Sequence, residues 1–327
     1  MPRTDLTRRR FVAISAVFAA TASWPARGIA APELLEWRGV ALGAAASIRL
    51  AHPDADTGRA LLRRCVTEVR RLEGIFSLYD AESALCRLNR HGALDLPPFE
   101  LVELLSYAAQ VSAATEGAFD VTVQPLWRRF AEHFAVPGAD PAGPLLADVL
   151  PLVDWRRVSF GSDRITLQRA GMAVTLNGVA QGYITDRIAD LLRGEGMRSV
   201  LVDLGEVRAL GSRPGGGPWR IGLADATDPA RVAQRVNLAD AALATSGGYG
   251  TAFVPDGWHN HLIDPRSGHS APARRSVSVI ASSAAVADAA STALALLPEG
   301  EAPDLLRELG ATAAYIQDEG GLRMLRV

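Results

Sequence analysis

The chain has 327 residues, 48% of them hydrophobic, and 34 basic against 36 acidic residues give a formal charge of −2. That length and apolar content will bury a full core in one large or two modest domains, and the charge offers no ground for a nucleic-acid partner. Every basic residue is Arg, which excludes a Schiff-base or phosphate-loop lysine, and Cys65 and Cys86, with no Cys/His cluster, argue against zinc and iron–sulfur sites.

Thr7-Arg8-Arg9-Arg10-Phe11-Val12 sets paired arginines before an apolar run to about Ala22, and Gly28-Ile29-Ala30-Ala31 supplies small residues for a cut. Residues 1–30 thus read as a twin-arginine secretory signal, leaving a single domain over 31–327. Cleavage near Ala30 removes five arginines and Asp5, so the mature charge is 29 − 35 = −6. No later run reaches the ~18 apolar residues of a membrane span. The expectation is a periplasmic protein with no stable membrane anchor.

Residues 36–50 alternate like one opening strand. A helix follows over about 56–74, with Leu61, Leu62, Cys65, Val66, Val69 and Leu72 at three- and four-residue spacing. Cys65 lies on that apolar stripe, which predicts two buried, unpaired thiols. A short capped helix is expected over 83–89, and Pro97-Pro98 opens another through about 114. Loop 115–120 runs into 121–126, and the Pro- and Gly-rich span 137–144 reads as an exposed insertion. Strands are predicted at 156–160, 164–167 and 174–176, a helix over 179–193, and strands at 199–204 and 219–223. Residues 313–327 read as a closing hairpin. Interleaved elements with many short turns favour an α+β fold with mixed or antiparallel sheets.

Four segments carry candidate chemistry. In His261-Leu262-Ile263-Asp264-Pro265-Arg266-Ser267-Gly268, the apolar pair reads as the end of a buried strand and Asp264 to Gly268 as a tight turn. That places an imidazole near a carboxylate able to orient it, although a satisfied strand-end His beside an Asx turn reads equally well. In Asn177-Gly178-Val179-Ala180-Gln181-Gly182 the glycines bracket a strand-to-helix step, either an anion site at a helix N-terminus or close helix–sheet packing. Asp288 and Thr292, four apart, share a helix face: hard oxygen donors for Mg²⁺, or Asp288 as a helix cap. Thr245-Ser246-Gly247-Gly248-Tyr249-Gly250 is either a phosphate-cradling loop holding Ser246 and Gly247 or an ordinary hairpin turn.

Together with Phe76-Ser77-Leu78-Tyr79-Asp80 and Gly117-Ala118-Phe119-Asp120-Val121-Thr122, these segments in this order resemble the FAD:protein FMN transferases of the ApbE family over essentially the whole mature chain. The resemblance implies a T-fold-like architecture and an enzyme using FAD and Mg²⁺ to place FMN on a Thr or Ser hydroxyl of an exported protein, with release of AMP. It carries metal ligation to Asp288, Thr292 and the Ala180 carbonyl, catalysis to His261 with Asp264, and cofactor contacts to Tyr79, Asp120, Gln181, Ser246 and Gly247. Two departures stand out: Gln181 occupies the family's usual Lys position, and Gly205-Glu206 replaces a Gly-Gly. With the twin-arginine start they resemble the NosX-like subgroup serving nitrous-oxide respiration. A non-catalytic flavin-binding or assembly protein for a periplasmic respiratory enzyme is the alternative.

Overall fold

The computed structural model describes residues 33–228 and 230–327, so the signal read over residues 1–30 lies outside the described residues. The chain opens with β1 (Glu33–Ala41), β2 (Ala44–His52), α1 (Ala55–Phe76), α2 (Ala84–His91), β3 (Ala93–Asp95) and α3 (Phe99–Ala114). It continues through α4 (Gln124–Phe134), β4 (Val158–Phe160), β5 (Arg164–Leu167), α5 (Ala180–Gly194), β6 (Ser199–Asp203) and β7 (Val207–Gly211). Then come β8 (Trp219–Ala224), β9 (Val232–Leu238), β10 (Ala242–Gly247), β11 (Ser276–Ala281), α6 (Ala284–Leu296), α7 (Ala302–Leu309), β12 (Ala311–Asp318) and β13 (Gly321–Arg326).

Eight strands form one antiparallel sheet in the order β1-β2-β6-β7-β10-β11-β12-β13. Alternation along the central strands decides what covers each face. Val200 and Val202 of β6 and Leu210 of β7 point into the main core beneath α1, α5 and α6. Leu201, Val207 and Ala209 point the other way, onto Trp219, Ile221 and Val236 of the β8–β9 hairpin. The α1 stripe behaves as its spacing predicts: Asp54 caps the helix by accepting from Thr57 N–H at 2.7 Å, and Leu61, Leu62, Cys65, Val69 and Leu72 are buried. Both thiols are free, but Cys86 is only half-buried. Burial pushes the Cys65 thiol up to about 12.

The contact that positions the site is the crossing of α5 and α6. A Cβ on Gly182 would lie 2.4 Å from the Ala284 carbonyl oxygen, so only glycine permits this approach. Asp186 of α5 accepts from Ala284 N–H at 2.8 Å, Ala285 N–H at 2.9 Å and Ser283 Oγ at 2.6 Å, all at the start of α6. In return Asp288 of α6 accepts from Gly182 N–H at 3.0 Å, in the first turn of α5. That helix has no side-chain cap of its own, so each helix caps the other.

Four local expectations are corrected. Residues 36–50 are a hairpin, turned at Leu42-Gly43 with φ of 46° and 84°; a Leu in a left-handed turn gives no sequence signal. Residues 174–176 are not a strand, because the Asn89 side chain satisfies Val174 N–H at 2.6 Å and its carbonyl at 2.8 Å. Leu262-Ile263 makes only an isolated bridge, Ile263 to Ser270. Ser246 and Gly247 end strand β10, paired with Val277 and Ser276, and are not in a loop.

Gly182→Ala is expected to cost about 1–3 kcal/mol in urea unfolding, as backbone has to shift to admit the methyl. Gly194→Ala, where an added Cβ meets nothing within 4 Å, should be neutral or stabilising by up to about 1 kcal/mol. Equal effects at the two sites would remove the steric account of the crossing.

Candidate active site

A cleft of about 450 Å³ opens where β10, the β6–β7 turn, the start of α5 and the middle and end of α6 meet. Its floor carries Asp288 and Thr292 of α6, Ser246 of β10 and Glu206 of the β6–β7 turn. Ser246 Oγ lies 3.2 Å from Thr292 Oγ1 and 2.8 Å from Ser291 Oγ, which ties β10 to the face of α6 that bears Asp288. Gly178 closes over this face: a Cβ there would sit 3.1 Å from Thr292 Oγ1.

Asp288 is 3% exposed, and its helix is capped by Ser283, so the capping alternative for its own helix is excluded. Loss of water pushes its carboxyl above the ordinary range, against the pull of Gly182 N–H and with the nearby charge of Asp186. Glu206 is raised in the same direction, first by burial and then by the charge of Asp288. Among the described residues neither carboxylate has an ion-pair partner. A carboxylate, a hydroxyl one turn on and a glycine-walled gap form a donor set that fits a hard divalent cation completed by ligand oxygens and water. Among the described residues no group of three His, Cys, Asp or Glu forms a cluster of the kind that binds metal unaided.

Ala180 does not line the cleft: it is buried as the first residue of α5. Gln181 lines the wall, and its amide packs against Gly205, where a Cβ would lie 2.5 Å from Nε2. Tyr79 stands exposed at one rim. Asp120 also borders the cleft, but both of its oxygens serve the protein: Oδ1 accepts from Thr122 N–H at 2.7 Å and Thr122 Oγ1 at 2.6 Å, and Oδ2 from Trp155 N–H at 3.0 Å. Gly247 is outside the lining, and its missing side chain makes room for the Tyr249 ring, 2.4 Å from where a Cβ would be.

The pairing of His261 with Asp264 is corrected by the structure. His261 lines the cleft, and its Nδ1 contacts the backbone of Thr251 at 3.2 Å. Asp264 instead accepts from Arg266 through Nε at 3.0 Å, Nη2 at 2.8 Å and the backbone N–H at 2.9 Å. A bidentate arginine two residues away outcompetes the imidazole, and the Asx turn holds Asp264 off the cleft. Thr251 is the group that orients His261. Loss of water around the ring pulls the imidazole down to about 4, so it is neutral and able to accept a proton at pH 7.

Sequence reasoning missed the place of Glu206 in this floor, although an acid wedged between the apolar runs of β6 and β7 is itself a signal. It also missed Arg128, which lines the cleft from α4.

The chain matches the ApbE family over residues 42–316. It is 28% identical over 313 residues to the FAD:protein FMN transferase of Salmonella typhimurium, covering 90% of this chain and 88% of that one. To the Treponema pallidum protein of the same name it is 32% identical, over 79% of this chain and 77% of that one. The fold superposes on the apo form of the Pseudomonas stutzeri flavinyl transferase ApbE with a TM-score of 0.73 and 26% identity, covering 90% and 95% of the two chains.

Between about pH 4 and 6.5 the unfolded chain holds a proton on His261 that the folded chain lacks, so this residue makes stability fall as pH drops through that window. Asp288 and Glu206, raised in the fold, act in the opposite sense. The comparison that isolates His261 is therefore between parent and His261→Gln. From pH 7 to 4.5 the parent is expected to lose about 2 kcal/mol more than the variant in denaturant unfolding. Parallel pH profiles would show an imidazole that titrates as in water.

Proposed function

The chain belongs to the ApbE family and is an FAD:protein FMN transferase; we propose that its cleft uses Mg²⁺ and delivers FMN to a Thr or Ser hydroxyl of an exported protein, releasing AMP. The observation that carries this reading is the floor: a buried carboxylate without a countercharge, Asp288, one helical turn from the Thr292 hydroxyl. Mg²⁺ bound there would neutralise pyrophosphate charge and stabilise the departing AMP oxygen.

In the transfer, the acceptor hydroxyl oxygen bonds to the phosphorus of the FMN half, and the bond from that phosphorus to the bridging oxygen breaks. The bridging oxygen leaves with AMP, and the hydroxyl proton needs a base. His261 supplies it in the tautomer whose Nδ1–H donates to the Thr251 carbonyl, and not in the one whose Nδ1 accepts from Thr251 N–H: there Nε2 keeps its lone pair at neutral pH. Gly178 and Gly250 line the cleft without side chains, which lets the nucleotide approach the backbone. Gln181 offers the phosphates an amide in place of a cation, and Arg128 is the cationic side chain on the wall. Tyr79 at the rim supplies a ring face for stacking.

The paired arginines Arg8-Arg9 support export by the twin-arginine route, hence a periplasmic enzyme that crosses the membrane folded. That start, with Gln181 and Glu206 in the cleft, supports service to nitrous-oxide respiration. Among the described residues no helix is long and apolar enough to cross a membrane.

Incubation with FAD, Mg²⁺ and a Thr-bearing acceptor peptide, followed by the peptide's mass, tests the reading. Asp288→Asn keeps an oxygen for Gly182 N–H but removes the charge, and should slow transfer on the order of 10²–10³-fold with the fold retained. Parent-rate transfer by a folded Asp288→Asn would exclude the metal role.

Export has its own test. Lysines in place of Arg8 and Arg9 should hold the protein in the cytoplasm while its isolated mature form stays active. Normal export of that double variant would refute the twin-arginine route and leave the transferase intact.

A further inference from the structure

This inference rests on the transferase reading of the cleft and concerns Glu206, a residue to which that reading gives no role in the chemistry. Pairing between β7 and β10 runs only from Ala242↔Arg208 to Leu243↔Val207, after which the two chains part. The backbone N–H of Thr245 therefore has no strand partner on that side. The Glu206 side chain fills in, its Oε2 accepting from Thr245 N–H at 3.3 Å. This is its one side-chain hydrogen bond among the described residues, which leaves a carboxylate 7% exposed on the cleft floor with its other oxygen uncommitted to the protein.

Among the described residues no arginine forms an ion pair with it. Arg208, two residues on, is turned to Asp186 at 3.2 Å. Asp288 lines the same cleft, also with a single side-chain hydrogen bond among the described residues. Two buried carboxyl groups in one dry pocket stay ionised together only where a positive charge sits between them. The third oxygen on this floor, Thr292 Oγ1, is bound to Ser246 on the strand whose edge Glu206 caps. One side of the pocket therefore presents three oxygen donors of two kinds, and none is a nitrogen or a thiol. That is the donor chemistry of a hard divalent cation, which takes one or two protein carboxylates and fills its remaining positions with phosphate oxygens and water.

We propose that Glu206 is the second carboxylate of the cation site, acting with Asp288 and Thr292 on the same Mg²⁺. Two carboxylates balance the charge of a divalent ion before the substrate arrives, so the protein binds the metal without FAD. A site with Asp288 alone would depend on the pyrophosphate to complete it.

The experiment uses the mature protein without FAD and Mn²⁺ as a paramagnetic stand-in, with free Mn²⁺ followed by its electron paramagnetic resonance signal. Glu206→Gln keeps a carbonyl oxygen for Thr245 N–H, and thermal melting verifies its fold. Parent protein should bind Mn²⁺, and Glu206→Gln should bind it about 10–100-fold more weakly. Glu206→Gly, which removes the side chain from the turn, should weaken binding at least as far and serves if the Gln variant does not fold. Parent-like affinity in a folded Glu206 variant, with binding lost in Asp288→Asn, overturns the proposal and leaves the transferase reading standing. Mn²⁺ binding that neither substitution disturbs, or a parent that holds no Mn²⁺, overturns the proposal and the cation reading together.

Discussion

Two carboxylates exchanged between two helices determine the rest of this structure. Asp186 of α5 terminates the free N–H groups of α6, and Asp288 of α6 terminates one in α5. A helix start left unsatisfied in the interior costs about 1 kcal/mol or more per lost cap, and its positive end favours an anion. Here each anion belongs to the other helix, so the stabilisation exists only in the crossed arrangement. Gly182 against Ala284 sets how close that crossing is. The floor of the cleft inherits its position from this contact, because Asp288 and Thr292 lie on one face of α6, directly beyond it.

The same arrangement explains the charge of the site. The described arginines that form ion pairs do so largely at the surface, as Arg129 with Asp148 or Arg307 with Asp304. Arg208, the buried exception, is bound to Asp186. The cleft floor therefore holds two carboxyl groups with no arginine ion-paired to either among the described residues, and its histidine is neutral because it is desolvated. Under the proposed function, charge neutralisation in such a pocket would fall to a metal, and proton transfer to an imidazole that carries no charge of its own.

Helices were legible where side chains declare them: the Leu61-to-Leu72 stripe, the Ser83 cap and the Asn177-Gly178 approach to α5 all lie where periodicity and capping put them. Pairings across the sheet were not. Nothing local in residues 36–50 announces a turn at Leu42-Gly43, and no pattern shows that Asn89 replaces a strand partner for Val174. In the site, spacing brought Asp288 and Thr292 together, since four residues on a helix fix a face whatever the fold. Spacing misled for His261 and Asp264. Three residues apart in a loop fix nothing, and Arg266 was a stronger partner than an imidazole. For Glu206 the acid between two apolar runs was the one local sign, while its bond to Thr245 N–H depends on the separation of β7 from β10, a tertiary event.

The tightness of the helix crossing also bears on how the chain can diverge. Gly182 cannot gain a side chain while Ala284 keeps its backbone in place, and Asp186 cannot shorten or lose charge without uncovering the start of α6. Compensation would require changes on both helices at once, a rare event when substitutions arrive singly. The crossing should therefore act as a slow clock within the gene. Solvent-facing positions outside it, such as Tyr79 and much of the 137–144 insertion, carry no such constraint and can follow the surface of a changing partner protein.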